Sequence, residues 1–294
     1  MPLFRRKRED SRALASPAPR GGSRPAARVA DQDWRTYDQV AEGYARVHAP
    51  RTALPAADLV AAAPVAAGTR VLDVGTGTGA VARAAIAAGA ALVVGIDPSF
   101  PMLRAASGEA GPIRYVAAEA IDLPFRAGGF DVVLSAFAVS HFAKADTALF
   151  DMMRVLRSGG RFGVAAWGND EDEFTRAWNG VAEEYAEHEI MRDAYQRAMP
   201  SAARFSDPTR LKDALHEAGL RDIAIERRGY RFQMTAEDYL EGREIASAGR
   251  FLRQMLGDEF WETFRRRVRQ VFAERFPPTF NDFRDVILAS GHKP

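Results

Sequence analysis

The stretch Val71-Leu-Asp-Val-Gly-Thr-Gly-Thr-Gly-Ala80 constrains this chain more than any other. An apolar run ends on alternating glycines at 75, 77 and 79, and small residues follow it. Glycine supplies the positive φ of a tight turn, and its missing Cβ lets the backbone approach a ligand. An apolar strand without alternation is covered on both faces, the condition of a strand inside a parallel sheet. The unit therefore predicts strand, glycine turn and helix in a layered α/β chain.

The downstream rhythm agrees with that reading. Strand 70–74 leads to helix 79–88, strand 91–96 to helix 99–107, and strand 112–117 through a loop to strand 130–135. Helix 145–157 and strand 160–167 complete this part. Upstream, 34–48 predicts a helix with Tyr37, Val40, Ala41, Tyr44 and Val47 on one face, and 55–63 an alanine-rich helix. Beyond residue 170 the pattern predicts one helix over 172–198 and another over 207–218, opened by Ser206-Asp207-Pro208. A strand in 221–234, helix over 236–276 and a last strand at 282–289 follow. Phe260, Phe264, Val268, Val271 and Phe272 should share one buried face. The fold expected is a Rossmann-like, doubly wound, mostly parallel seven-stranded sheet with helices on both faces, plus a helical insertion or lid. Within a domain spanning 34–294, residues 34–168 form the core, and 169–210 and 235–278 supply helical elements on the substrate side.

Charge separates one segment from the rest. Residues 1–28 hold eight basic side chains against Glu9 and Asp10, a charge of +6. With +1 on the whole chain, the remainder carries −5, so the body makes no electrostatic case for specific nucleic-acid binding. Residues 1–33 are rich in Ala, Pro, Gly and Ser and read as a disordered basic tail. The tail lacks the apolar run of a secretory signal. The sequence also shows no transmembrane segment. Cysteine is absent, which removes disulfides, thiolate metal sites and a cysteine nucleophile, and fits a cytoplasmic protein. His48, His188, His216 and His292 lack metal-ligand spacing.

The glycines alone do not choose the ligand, since Gly75, Gly77 and Ala80 also satisfy the dinucleotide spelling G-x-G-x-x-G/A. Asp73 discriminates better. In a diphosphate site the turn and helix N-terminus present N–H groups to an anion. A carboxylate two residues before Gly75 would repel that anion. S-adenosyl-L-methionine carries no phosphate, and its ammonium suits an aspartate at this place. The plainer alternative for Asp73 is a turn or capping residue. Asp97 ends the second strand, 22 residues after Gly75, where an acidic group accepts from ribose hydroxyls. Glu119 and Ala120 follow the third strand, where a carboxylate and a backbone N–H can meet adenine.

With these motifs in order, "VLDVGTGTG", "GIDPS", "EAIDLPF…FDVVLS" and "RVLRSGGRFGVAAW", the chain resembles the class I S-adenosylmethionine-dependent methyltransferases. It is similar to the group that includes ubiquinone and menaquinone biosynthesis C-methyltransferases. The resemblance covers 34–168, and the terminal "ASGHKP" matches the group's usual end. Glu119 departs from the group's commoner aspartate. The resemblance implies a cofactor site built from Asp73, Gly75, Thr76, Gly77, Gly79, Asp97, Pro98, Met102, Glu119, Ala120 and Ser135. It also implies that Tyr37 and Tyr44 close over the cofactor; their alternative is plain packing on the core.

Methyl transfer from a sulfonium is an in-line displacement, so positioning carries much of the rate. A base is needed only where the acceptor must lose a proton. His141, beyond the fourth strand, is the only histidine inside the core motifs and is the candidate for base or acceptor contact. No Asn/Asp-Pro-Pro-Tyr motif follows that strand, which argues against nucleobase and glutamine amino-methylation. The expectation is a methyltransferase for a small, apolar or aromatic acceptor, on oxygen, carbon or nitrogen, working as a monomer or homodimer. Two alternatives stand beside it: a cofactor-binding protein without turnover, and a nicotinamide oxidoreductase, which Asp73 disfavours.

Overall fold

The glycine turn sits at the middle of a seven-stranded sheet. In the computed structural model, residues 35–107 and 112–294 are described, and the expected tail at 1–33 lies outside them. The strands are β1 (Arg70–Val74), β2 (Leu92–Asp97), β3 (Ile113–Ala117), β4 (Phe130–Ala136), β5 (Leu156–Trp167), β6 (Arg221–Thr235) and β7 (Thr279–His292). They lie in the order β3-β2-β1-β4-β5-β7-β6. Neighbours from β3 to β5 pair in parallel, and β7 runs antiparallel to both β5 and β6. The carboxyl ends of β1 to β5 therefore share one edge, where ligands bind in open α/β sheets.

Central position explains the unbroken apolar runs. Successive residues of β1 face opposite sides. Leu72 and Val74 join Val133, Phe162 and Met152 on one side, the last from α5 (Ala145–Val155). Val71 joins Val93, Val132 and Leu134 on the other, under α2 (Ala49–Ala62) and α3 (Ala80–Ala87). Burying each such side chain is worth about 1.5–3 kcal/mol, so both layers stabilise the glycine turn indirectly. The remaining helices of this part are α1 (Ala41–Val47) and α4 (Phe100–Ser107).

A third apolar cluster builds a helical layer apart from the sheet faces. It draws on α6 (Glu173–Glu183), α10 (Ala236–Ile245) and α11 (Ser247–Arg275), with Trp178, Tyr239, Leu252, Phe264, Val268 and Phe272 at its centre. Between these elements, α7 (His188–Ala198) precedes α8 (Ala202–Phe205) and α9 (Pro208–Glu217). Phe205, Leu211 and Leu215 return α8 and α9 to the sheet, so the helical layer leaves the span 169–210 before its end.

Four details depart from the sequence reading. The expected helix over 34–48 begins only at Ala41; residues before it form turns, one closed by the Val40 N–H on the Tyr37 carbonyl. The single helix expected over 172–198 is two, because Tyr185 and Ala186 turn back into the third cluster, Tyr185 packing edge-on to Phe264. α11 breaks at Gly257, whose φ of 72° is left-handed. Past that break Trp261, Phe264, Val268 and Phe272 point inward at i, i+3, i+7 and i+11, whereas Phe260 is 62% exposed.

Candidate functional site

The glycine turn is fixed from both sides of β1. Gly75 N–H and Thr76 N–H donate to the Ile96 carbonyl of β2 at 2.9 and 2.8 Å. Gly75 has φ 72°, and a Cβ there would overlap that of Ala138. Gly77 has φ 52° and open space around it. Gly79, at φ 86°, is the N-cap of α3. In β2, a Cβ on Gly95 would come within 2.8 Å of Thr76 Oγ1, so glycine makes room for the threonine.

The two acidic residues are bound into this scaffold. Asp73 is buried; its Oδ2 accepts from Thr76 Oγ1 at 2.7 Å, and Oδ1 has no hydrogen-bond partner among the described residues. Burial pushes the Asp73 carboxyl up to about 7, against the pull of the Thr76 hydroxyl and of the Ala82 N–H in the first turn of α3. Asp97, half-buried, accepts from Gly77 N–H through Oδ2 (3.0 Å) and from Ser99 N–H through Oδ1 (2.9 Å). Burial raises its carboxyl too, although both amides oppose that. Pro98 is exposed beside it, and Met102 is buried in α4. Glu119 is exposed and Ala120 half-buried just past β3.

Ser135 departs from the expectation drawn from the resemblance. It is wholly buried, and its hydroxyl donates to the Val74 carbonyl at 2.9 Å, tying β4 to β1. Thr76 is likewise a scaffold side chain, committed to Asp73.

Next to the turn lies a cavity of about 570 Å³ between the carboxyl ends of β4 and β5 and the helical layer. Phe137 and Trp167 wall one side as a face-to-face stack, centroids 3.8 Å apart. Phe137 has φ 61°, a conformation that costs a non-glycine residue about 1–3 kcal/mol and clusters at functional sites. Tyr37 and Tyr44 form the wall towards the turn, edge to face at 5.6 Å, and Tyr37 meets His141 in the same way at 5.6 Å. Burial raises both tyrosine hydroxyls, so both remain neutral donors.

His141 has a defined tautomer. Its Nδ1 lies 3.1 Å from the Ala198 carbonyl, which can only accept, so Nδ1 carries the proton. Nε2, at the cavity wall, then accepts from Tyr37 Oη at 3.5 Å, a long bond that an acceptor's hydroxyl could replace. Burial lowers the imidazole below its usual value, keeping it neutral. A neutral histidine held by a carbonyl can take a proton at Nε2.

The cavity floor is polar and escaped the sequence reading. Arg51 of α2 and Arg284 of β7 donate to the same oxygen of the buried Asp282, from Nη1 at 3.0 Å and Nε at 2.9 Å. Arg51 Nη2 also donates to His48 Nδ1 at 2.6 Å, and His48 Nε2 donates to the Gly242 carbonyl at 3.0 Å. Burial, followed by the charge of Arg51, holds His48 well below its ordinary value. Arg243 of α10 and Asp172, the cap of α6, complete the floor. These residues come from four elements, α2, α6, α10 and β7, with His48 and Asp172 as helix caps, and no short motif contains two of the arginines.

The parallel sheet with its acidic strand ends and glycine turn defines a nucleoside-binding α/β enzyme of the methyltransferase kind. A family model described as "Methyltransferase domain" matches residues 72–164. The chain is 42% identical over 100 residues to a demethylmenaquinone methyltransferase of Thermus thermophilus, covering 32% of this chain and 46% of that one. It is 33% identical over 202 residues to a demethylmenaquinone methyltransferase of Parafrankia, covering 59% of this chain and 73% of that one. In fold it is similar to phosphoethanolamine N-methyltransferase 2 of Haemonchus contortus, solved with S-adenosyl-L-methionine: TM-score 0.55, 19% identity, 90% of this chain and 59% of that one. The chain belongs to the class I S-adenosylmethionine-dependent methyltransferases, and S-adenosylmethionine is its cofactor.

Proposed function

We propose that this methyltransferase acts on a small acceptor with an apolar or aromatic body, bound in the cavity beside the glycine turn. The observation that carries the reading is the cavity itself, walled by Phe137, Trp167, Tyr37 and Tyr44 and large enough for a drug-sized molecule. The two relatives' quinone-related names agree with an aromatic acceptor. The absence of cysteine agrees with work in the cytoplasm.

The turn residues fit the cofactor on their own chemistry. Asp73 Oδ1, buried without a partner, is an acceptor for an ammonium. Gly75 and Gly77 leave no side chain between backbone and ligand. Asp97 keeps lone pairs on both oxygens for ribose hydroxyls, and Glu119 with Ala120 offers an acceptor and an N–H to adenine. Pro98 supplies an exposed apolar surface, and Met102 is buried in α4 nearby in the chain. When bound, S-adenosylmethionine supplies a methyl group already activated on a sulfonium.

The chain's part is to hold, exclude and deprotonate. Tyr37 and Tyr44 separate the turn from bulk water while His141 faces the same space. A phenol or enol acceptor would give its proton to His141 Nε2, whose other nitrogen is held by Ala198. Phe137 and Trp167 would orient a flat acceptor. The test is purified protein with methyl-labelled cofactor against panels of quinols, phenols and amines. Label should enter a phenolic or quinol product; transfer only to amines would reject deprotonation by His141, and none to any member would reject the reading.

A further inference from the structure

The cavity floor carries more guanidinium than carboxylate. Arg51, Arg243 and Arg284 face it, against Asp172 and Asp282. The mouth leans acidic: Asp170, Glu171 and Glu183 line it with Arg192, Asp170 sharing Arg227 with Asp285 and Glu183 accepting from His188 at 2.8 Å.

Three buried polar atoms of the floor lack a partner among the described residues: Arg243 Nε, Asp172 Oδ2 and Asp282 Oδ1. Arg243 Nη2 donates to Asn179 Oδ1 at 3.0 Å and its guanidinium lies over the Trp178 ring at 4.6 Å. No carboxylate pairs with it among the described residues, and its Nε is buried without an acceptor. Arg284 spends only Nε on Asp282; its terminal nitrogens have no acceptor among the described residues. Asp172 cannot serve them both. Its Oδ1 accepts from Thr175 N–H while Oδ2 is buried without a partner, and no ion pair joins it to either arginine among the described residues. All three guanidiniums line this floor, and Arg51 donates to His48, which burial keeps neutral.

An arginine fork in an enclosed space is satisfied by a planar oxyanion, bound through two parallel N–H bonds. On the floor alone three guanidiniums stand against two carboxylates, an excess of one positive charge that matches a monoanion better than a dianionic phosphate. Resting on the acceptor-cavity reading above, we propose that the acceptor is an aromatic or apolar carboxylic acid. Its carboxylate is held by Arg243 and Arg284, and its apolar body lies against Phe137 and Trp167.

The test is calorimetry in the presence of S-adenosylhomocysteine, with hydroxybenzoic and hydroxyphenylpropionic acids, their methyl esters, and a phenyl phosphate. The acids should bind wild-type protein about tenfold or more tighter than the esters and the phosphate, the scale of a charge-assisted pair. Arg243→Gln should abolish that preference while affinity for the esters and for S-adenosylhomocysteine stays within about twofold, and Arg243→Lys should restore part of it. Esters binding wild type as tightly as acids would overturn the proposal and leave the acceptor cavity standing. Tighter binding of the phosphate would overturn the carboxylate in favour of a dianion. If neither acids nor esters bind while S-adenosylhomocysteine does, the cavity reading falls and the proposal with it. Equal loss of acid and ester by Arg243→Gln, with a lowered melting temperature, would return Arg243 to a structural role.

Discussion

The glycine turn and the acceptor cavity lie side by side but are built on opposite plans. The turn is made by backbone: three glycines with positive φ, amides on Ile96 and Asp97, and side chains such as Thr76 and Ser135 that only brace the strands. The cavity is made by side chains from distant segments, with Arg51, Asp172, Arg243 and Arg284 meeting on one floor. A backbone site tolerates little change at a few positions. A side-chain site can be retuned at many, so it is where members of one fold differ in what they methylate.

The largest effect should come from attacking the backbone plan. Gly75→Val combines a left-handed φ, about 1–3 kcal/mol of strain, with overlap on Ala138. Cofactor binding measured by calorimetry should vanish and the melting temperature should fall. Gly77→Ala, in open space at φ 52°, should lose far less. Equal tolerance at both positions would break the contrast.

Next in size is the cavity's own chemistry. His141→Gln should lower turnover about a hundredfold or more for an acceptor that must lose a proton, with cofactor affinity unchanged. Because burial lowers His141, the wild-type rate should be flat above its reference pKa of about 6.5 and fall on acidification below it. If the substitution raises only the Michaelis constant, His141 positions the acceptor rather than deprotonating it.

Asp97→Asn should weaken the cofactor by about 1.5–3 kcal/mol, the worth of a charge-assisted contact. An unchanged affinity would confine Asp97 to bracing Gly77 and Ser99.

The smallest signal separates the two readings of Asp73. Its carboxyl, raised by burial to about 7, is protonated in the free protein at lower pH. That raised value means stability declines as pH climbs from the unfolded carboxylate range, about 3.9, through 7. An ammonium at Oδ1 would favour the carboxylate, so S-adenosylhomocysteine should bind more tightly as pH rises through 7. Calorimetry in buffers of different ionisation enthalpy should register proton release near pH 6, and methylthioadenosine, lacking the amino acid, should release none. Equal behaviour of both ligands would make Asp73 a turn residue alone.

What could be read beforehand follows the same division. The sheet was legible because β1, β2 and β4 are nearly continuous apolar runs whose cover is implied by their composition. Gly75, Asp97 and Glu119 stand at or just past strand ends, so their places in the fold were readable from spacing. Ser135 was not, because the resemblance names a position and only packing reveals that its hydroxyl is spent on Val74. The break after Glu183 was hidden because Tyr185 answers to Phe264 in a distant helix. The arginine floor was invisible for the same reason: Arg51 and Asp282 are 231 residues apart and become partners only in the fold.

The most direct test of the whole account is a crystal structure with S-adenosylhomocysteine bound. The account predicts ribose hydroxyls on Asp97, the ammonium at Asp73 Oδ1, and the sulfur opening into the cavity between Tyr37 and His141. A nucleoside bound away from Asp97, or a sulfur directed away from that cavity, would contradict it.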